Sequence, residues 1–110
     1  MTRFLMATAM TMVTVAAFAQ SAAQGVSVKA ILDNPVDDQK VNVQGTLLSH
    51  VGGERYMFSD GTGQIQVEID KDKLPAGMKA GERTRVEIQG EVDKEANKTL
   101  EIDADMVRAI

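Results

Sequence analysis

Residues 41–47 read VNVQGTL, and residues 86–92 repeat the pattern as VEIQGEV. In both segments apolar residues alternate with polar ones, which predicts a β-strand with one buried face. Each segment carries a glycine at its fifth position, Gly45 and Gly90. A glycine weakens a flat strand but permits a sharp bend or a bulge. The two segments therefore predict long, bent strands of the kind that a small closed sheet needs to turn its corners. The alternative is a chance match between two amphipathic strands.

Three other segments alternate in the same way, at residues 55–59, 64–70 and 99–107. Residues 71–81 contain a proline and two glycines, and they predict a long connection with room for one helical turn. The chain thus offers five strands, with an insertion between the third and the fourth. This pattern predicts an all-β fold, a five-stranded Greek-key barrel of the oligonucleotide/oligosaccharide-binding (OB) type.

A short helix is predicted before the first long strand, over Val28–Leu32. Ser27 precedes it, and its hydroxyl can accept a hydrogen bond from an unpaired backbone N–H of the first turn. Asn34 and Pro35 end the helix, because the residue before a proline avoids the helical region. Val28, Ile31 and Leu32 have the spacing of one apolar face.

The first residues have the layout of a secretory signal peptide. Residues 1–3 carry one positive charge, residues 4–15 are uncharged and mostly apolar, and small residues precede a cleavage site between Ala19 and Gln20. The apolar run is shorter than the roughly 20 residues of a spanning helix, so no stable membrane insertion is expected after cleavage. An uncleaved anchor or a buried core helix is the alternative. The expected organisation is a signal peptide at 1–19, a flexible leader at 20–26 and an OB-fold domain at 27–110, with a periplasmic location.

Composition argues against several classes of function. The 110 residues have a formal net charge of −4, which becomes −5 when Arg3 leaves with the signal peptide. Nucleic-acid binding by an OB fold needs a positive groove and stacking aromatic rings, and only Tyr56 and Phe58 remain. The chain has no cysteine and a single histidine, His50, and no serine lies in a nucleophile elbow. We therefore expect no enzymatic activity, no cofactor and no nucleic-acid partner.

The sequence DGTG, residues 60–63, predicts a turn between two strands. A phosphate-binding loop would be longer and would run into a helix with a lysine at its start. A calcium loop of the EF-hand kind would need acidic residues at alternate positions, and Asp60 stands alone. Asp60 is therefore expected to accept hydrogen bonds from nearby backbone N–H groups.

The pattern Glu-apolar-Asp occurs three times, at residues 68–70, 91–93 and 101–103 of the third, fourth and fifth predicted strands. Period two sends both carboxylates of each triplet outward. In an OB barrel the third, fifth and fourth strands are neighbours in that order, so the carboxylates should form one acidic band, which Asp105 could extend. The candidate ligand-binding residues are Asp60, Glu68, Asp70, Glu91, Asp93, Glu101 and Asp103.

Two interpretations of this band stay open. It is either a solvated outer face, neutralised by Lys71, Lys73, Lys94 and Lys98, or a surface that binds a cation. The cation would be a polyamine, a basic peptide or a weakly held divalent metal, and no dedicated metal site is predicted.

Most of the chain resembles a known family. Tyr56-x-Phe58-x-Asp60 leading to Gly63, the segment VEID at 67–70 and the segment GEVDK at 90–94 resemble the bacterial OB-fold (BOF) family of small periplasmic stress-tolerance proteins. The resemblance extends over residues 28–103. It implies a periplasmic OB barrel without catalytic residues, linked to tolerance of peroxide, metals, acid or cationic peptides. Residues 72–82 lack the aromatic residue expected of the family.

The function expected from these observations is that of a periplasmic, non-catalytic OB-fold binding protein supporting tolerance of envelope stress. Its partner would be a small cationic molecule or basic peptide, or an envelope protein, held through the acidic surface. The alternative is a protein-interaction module that inhibits or escorts another envelope protein.

Overall fold

The computed structural model describes residues 24–95 and 97–110. The predicted signal peptide and most of the predicted leader lie outside these residues. The elements are β1 (Gln24–Gly25), α1 (Val28–Asp33), β2 (Lys40–Gly52), β3 (Arg55–Ser59), β4 (Gln64–Glu68), a turn of 3₁₀ helix (Lys71–Lys73), β5 (Arg85–Asp93) and β6 (Glu101–Ala109).

The predicted five-stranded barrel is confirmed. The strands follow the order β2-β3-β4-β6-β5, and β5 pairs again with β2 to close the sheet. Only β4 and β6 run parallel; the other pairs in the ring are antiparallel. The two-residue β1 pairs in parallel with β2, so the end of the predicted leader lies against the sheet.

Strand β2 takes part in both halves of the barrel because it changes partner in its middle. Residues 40–46 pair with β5, and residues 46–52 pair with β3. Gly45 lies at this change of partner. A Cβ atom on Gly45 would overlap the carbonyl oxygen of Ser59 and would lie 2.8 Å from the Cα atom of Asp60. Only glycine therefore allows the two strands to approach so closely.

Gly90 has the same role on β5. The β5–β6 register shifts between Gln89 and Gly90, which is the irregularity expected from a glycine in mid-strand. A Cβ atom on Gly90 would overlap the carbonyl oxygen of Asp103 and would lie 3.0 Å from the Cα atom of Ala104.

The alternating apolar residues meet inside the barrel, as predicted. Phe58 is fully buried there, and α1 adds Val28 and Ile31 from one end. Leu32, expected on the same helical face, is instead 42% exposed. Its side chain lies near Gly63 in the β3–β4 turn, outside the core. The buried apolar residues are Val28, Ile31, Val41, Val43, Leu47, Phe58, Ile65, Val67, Ile69, Val86, Ile88, Val92, Ile102, Ala104 and Val107.

The two strand glycines give a direct test of barrel closure. We expect Gly45→Ala and Gly90→Ala each to lower the free energy of unfolding by about 2–3 kcal/mol, because the new methyl group overlaps backbone atoms that cannot rotate away. Gly81→Ala is the matched control, since its nearest non-neighbouring atom would be 3.8 Å away. Urea unfolding monitored by circular dichroism measures all three. Equal stabilities for the three variants would contradict the role assigned to the glycines.

Candidate functional site

The turn at residues 60–63 accepts hydrogen bonds from the first turn of helix α1. Thr62 donates to Asp60 through its backbone N–H, at 2.9 Å, and through its hydroxyl, at 2.6 Å, as expected for a turn aspartate. The other carboxylate oxygen of Asp60 accepts the backbone N–H of Val28 at 2.9 Å. The hydroxyl of Thr62 accepts the backbone N–H of Lys29, and the hydroxyl of Ser27 accepts that of Ala30. The first turn of α1 is therefore capped largely by a hairpin that lies about 30 residues further along the chain.

Asp60 is thus remote from the other candidate residues. Partial burial pushes the pKa of Asp60 upward, but the hydrogen bonds from Thr62 and Val28 outweigh burial and leave the pKa below its ordinary value. Its carboxylate already accepts hydrogen bonds from these donors, so the geometry indicates that Asp60 has a structural role.

The three Glu-apolar-Asp triplets meet on one side of the barrel. Their apolar members, Ile69, Val92 and Ile102, are buried, and the predicted neighbour order of the three strands is confirmed. Asp103 on β6 stands directly opposite Glu68 on β4 and Glu91 on β5. We call the outward carboxylates on this side the acidic wall: Glu68, Asp70, Glu91, Asp93, Asp103 and Asp105.

The centre of the acidic wall forms one row across five strands. Lys40 faces Glu91, Glu91 faces Asp103, Asp103 faces Glu68, and Glu68 faces Arg55. Lys40 donates to Glu91 at 2.6 Å. The row therefore has a base at each end and three successive carboxylates between them.

Burial and like charge both raise pKa values at the middle of this row. Desolvation, followed by the charge of neighbouring Asp105, raises the pKa of Asp103; Asp93 and Asp70 add to the rise and Lys73 opposes it. Desolvation and the charges of Glu101 and Asp103 likewise raise the pKa of Glu68. Like charges opposite one another in a sheet destabilise it, so the wall is a place where a bound cation would relieve a cost of folding.

Of the lysines expected to neutralise the wall, Lys73 contributes most, because it also lowers the pKa of Asp103. Lys73 lies 3.7 Å from Asp70, and Lys98 lies 3.6 Å from Glu95, which is outside the wall. Among the described residues, Lys71 and Lys94 form no ion pair. Two further bases, Lys40 and Arg55, face Glu91 and Glu68, and the sequence pattern does not indicate either of them. Their cross-strand partners depend on the register, which the alternation of residues alone does not fix.

Glu101 corrects the sequence prediction of a fully exposed band. It points outward from β6 but is only 1% exposed. One carboxylate oxygen accepts hydrogen bonds from Arg55 Nε at 3.3 Å and from Gln66 Nε2 at 3.2 Å. Glu101 is therefore buried against these two side chains and does not belong to the exposed acidic wall.

The wall is not arranged as a metal centre. Within residues 24–95 and 97–110, no three side chains from His, Cys, Asp and Glu converge on a point where they could ligate one ion. The carboxylates instead spread across neighbouring strands, which lie about 5 Å apart. This geometry suits a cation that extends over several strands better than one compact ion.

The family model described as "Bacterial OB fold (BOF) protein" matches residues 5–109. The chain belongs to this family. The calcium-regulated OB-fold protein CarO of Pseudomonas aeruginosa is 40% identical over 84 residues, which is 76% of this chain and 70% of CarO. Protein YgiW of Escherichia coli K12 is 36% identical over 74 residues, and that alignment spans about half of YgiW, 55%.

Solved structures of other proteins superpose on the barrel of this chain. The structure of the hypothetical protein ygiW from E. coli superposes with a TM-score of 0.70 at 30% identity, over 83% of this chain and all of that one. The telomere capping protein Ten1 of Schizosaccharomyces pombe, 18% identical with a TM-score of 0.61, shares the fold alone. The names of CarO and YgiW do not describe enzymes. No helix in the described residues is long and apolar enough to cross a membrane.

The capping role of Asp60 can be tested by substitution. We expect Asp60→Asn to lower the free energy of unfolding by about 1–2 kcal/mol near neutral pH, because an amide cannot accept hydrogen bonds on both of its terminal atoms. Asp72→Asn, at an exposed acidic residue, is the control.

The pH dependence of this effect has a defined sign. Because folding lowers the pKa of Asp60, its contribution is complete above the ordinary value of 3.8 and is lost as the pH falls through the folded-state pKa. Thermal unfolding of both variants between neutral and acidic pH measures this. A difference from wild type that grows on acidification would contradict the assignment.

Repulsion within the acidic wall predicts the opposite result for Asp103. Asp103→Asn should raise the free energy of unfolding by a few tenths of a kcal/mol at neutral pH and low salt, because it removes the central like charge. The gain should shrink with added salt, which screens exposed charges. It should also shrink on acidification, because a carboxylate with a raised pKa opposes folding only once it is ionised. A loss of stability at low salt would show that Asp103 is already neutralised.

Proposed function

We propose that the chain is a non-catalytic binding protein that holds a small cationic ligand, a polyamine or a basic peptide, on its acidic wall. The observation that carries the proposal is the row Glu91–Asp103–Glu68, in which three carboxylates lie side by side on neighbouring strands. Within the row the bases stand at its two ends, and Lys73 beside it opposes only part of the pKa rise of Asp103. The middle of the row is therefore the place where an added positive charge would be attracted most strongly.

The shape of the wall favours an extended ligand. Carboxylates on adjacent strands are too widely spread to enclose one ion, but a flexible chain with several amines can place one nitrogen near each of them. Asp70, Asp93 and Asp105 would widen the contact around Asp103, whose pKa they raise. Binding to such an exposed surface depends mainly on screened charge attraction, so affinity should be modest and sensitive to salt.

We further propose a periplasmic setting and a part in tolerance of envelope stress. The sequence supports export through the layout of residues 1–19, and membership of the bacterial OB fold family accords with it. The relative CarO is named as calcium-regulated. Ca²⁺ is therefore included among the cations to be tested on this chain.

The proposal is tested by titrating residues 20–110 with spermine in a calorimeter at low salt. We expect saturable binding that the double variant Glu68→Gln/Asp103→Asn weakens by about tenfold, because it removes two adjacent charges, each worth up to about 1 kcal/mol. A basic peptide and Ca²⁺ follow in the same buffer, and Ca²⁺ should bind more weakly than spermine.

Controls separate a site from general charge attraction. Glu82→Gln/Asp72→Asn changes the net charge equally at exposed residues outside the acidic wall, and it should leave spermine affinity within about twofold. Equal weakening by both double variants, or the absence of spermine binding at low salt, would overturn the proposal.

A further inference from the structure

A depression of about 400 Å³ opens on the outer face of the barrel beside the acidic wall. Strands β3, β4 and β6 form its sides, and the segment that leads into β6 forms its edge. The lining residues are Arg55, Gln66, Asn97, Lys98, Thr99 and Glu101.

Glu101 lies in this depression with its charge only partly matched. Its side chain is 2% exposed. Arg55 and Gln66 both donate to Oε1. Among the described residues, Oε2 accepts no hydrogen bond. A buried carboxylate with a free oxygen is costly, because buried polar groups are nearly always hydrogen-bonded. The free oxygen therefore marks a position for a donor that the described chain does not supply.

Two positively charged side chains, Arg55 and Lys98, also line this depression. Arg55 uses Nε for Glu101, and in the described part of the chain its two Nη groups donate no hydrogen bond. The Arg55 side chain is 43% exposed and that of Lys98 is 45% exposed. Lys98 lies 3.6 Å from Glu95, a loose contact that leaves its ammonium able to bind another group. The depression is thus lined by one buried carboxylate and two more exposed cations, together with Gln66, Asn97 and Thr99.

We propose that this depression binds a small zwitterion of the α-amino-acid class. Its ammonium group donates to Oε2 of Glu101, and its carboxylate accepts from the Nη groups of Arg55 and from Lys98. Arginine suits this role because its planar guanidinium can donate two parallel hydrogen bonds to a carboxylate. A simple amine would be repelled by Arg55 and Lys98, and a simple carboxylate would be repelled by Glu101. Only a ligand with both charges matches both ends.

This site shares Arg55 with one end of the row, but it uses none of the carboxylates of the acidic wall and does not depend on the proposed polyamine binding. Asp103, the centre of the acidic wall, is exposed two residues further along β6. The contacts that define the depression come from Glu101, Arg55 and Lys98. Loss of one binding activity with retention of the other would show which proposal has failed.

The test is a titration of ¹⁵N-labelled residues 20–110 followed by NMR at low salt. L-Serine is the probe, and ethanolamine and 3-hydroxypropionate are the same molecule without its carboxylate and without its ammonium group. We expect L-serine to shift the amide signals of residues 97–101 with a Kd of about 1 mM. Each analogue should bind at least about tenfold more weakly, since charge-assisted hydrogen bonds at one end are lost. Equal affinity for serine and either analogue, or no saturable shifts with serine, would overturn the proposal.

Substitutions then assign the two ends. Glu101→Gln keeps the shape of the side chain and removes its charge, so it should weaken serine binding about tenfold or more. Lys98→Gln, at an exposed residue, should weaken it severalfold without affecting the fold, and it carries the test if Glu101→Gln does not fold. Asp103→Asn is the matched control on the same strand and should change serine affinity by less than about twofold. Serine binding that is unchanged by Lys98→Gln, or weakened as much by Asp103→Asn, would contradict the assignment.

Discussion

The closure of the barrel depends on two positions where the backbone of one strand occupies the space that a side chain would need on the next. At Gly45 the carbonyl of Ser59 fills that space, and at Gly90 the carbonyl of Asp103 does so. The first contact lets β2 leave β5 and join β3. The second lets β5 and β6 change register while remaining paired. The arrangement of charges on the outer face depends on this closure. Closure places β6 between β4 and β5 and so fixes which charged residues stand side by side.

The electrostatics of the surface derive from that neighbour order. Antiparallel and parallel pairing together align Lys40, Glu91, Asp103, Glu68 and Arg55 across five strands. Desolvation and then the charge of Asp105 raise the pKa of Asp103 at the centre of this row, and Lys73 opposes the rise. Two residues away on the same strand, Glu101 is buried and accepts hydrogen bonds from Arg55 and Gln66. One strand thus carries an exposed, repelled carboxylate and a buried, half-satisfied one, which suit different ligands.

Alternation of apolar and polar residues is sufficient to predict the strands and most of their inward residues, because burial on one face depends only on period two, which is a local property. The meeting of the three triplets required in addition the strand order of an OB barrel. The burial of Glu101 is not predictable in this way, since Arg55 and Gln66 reach it from neighbouring strands. The partners of Asp60 were also beyond local reasoning: a turn motif indicates bonds to its own backbone, whereas Val28 comes from a helix 32 residues earlier. Arg55 gained its importance only from the register that sets it opposite Glu68.

The capping of α1 by the β3–β4 turn has a consequence for how the molecule forms. A six-residue helix is far too short to be stable alone in water. Two of its first backbone N–H groups also gain their hydrogen-bond acceptors only when the β3–β4 hairpin has formed. The helix is therefore a late product of folding rather than a nucleus for it. Because strand pairing in this ring also joins distant parts of the chain, such as residues 40–46 with 85–91, we expect a slow, cooperative transition on the scale of milliseconds to seconds.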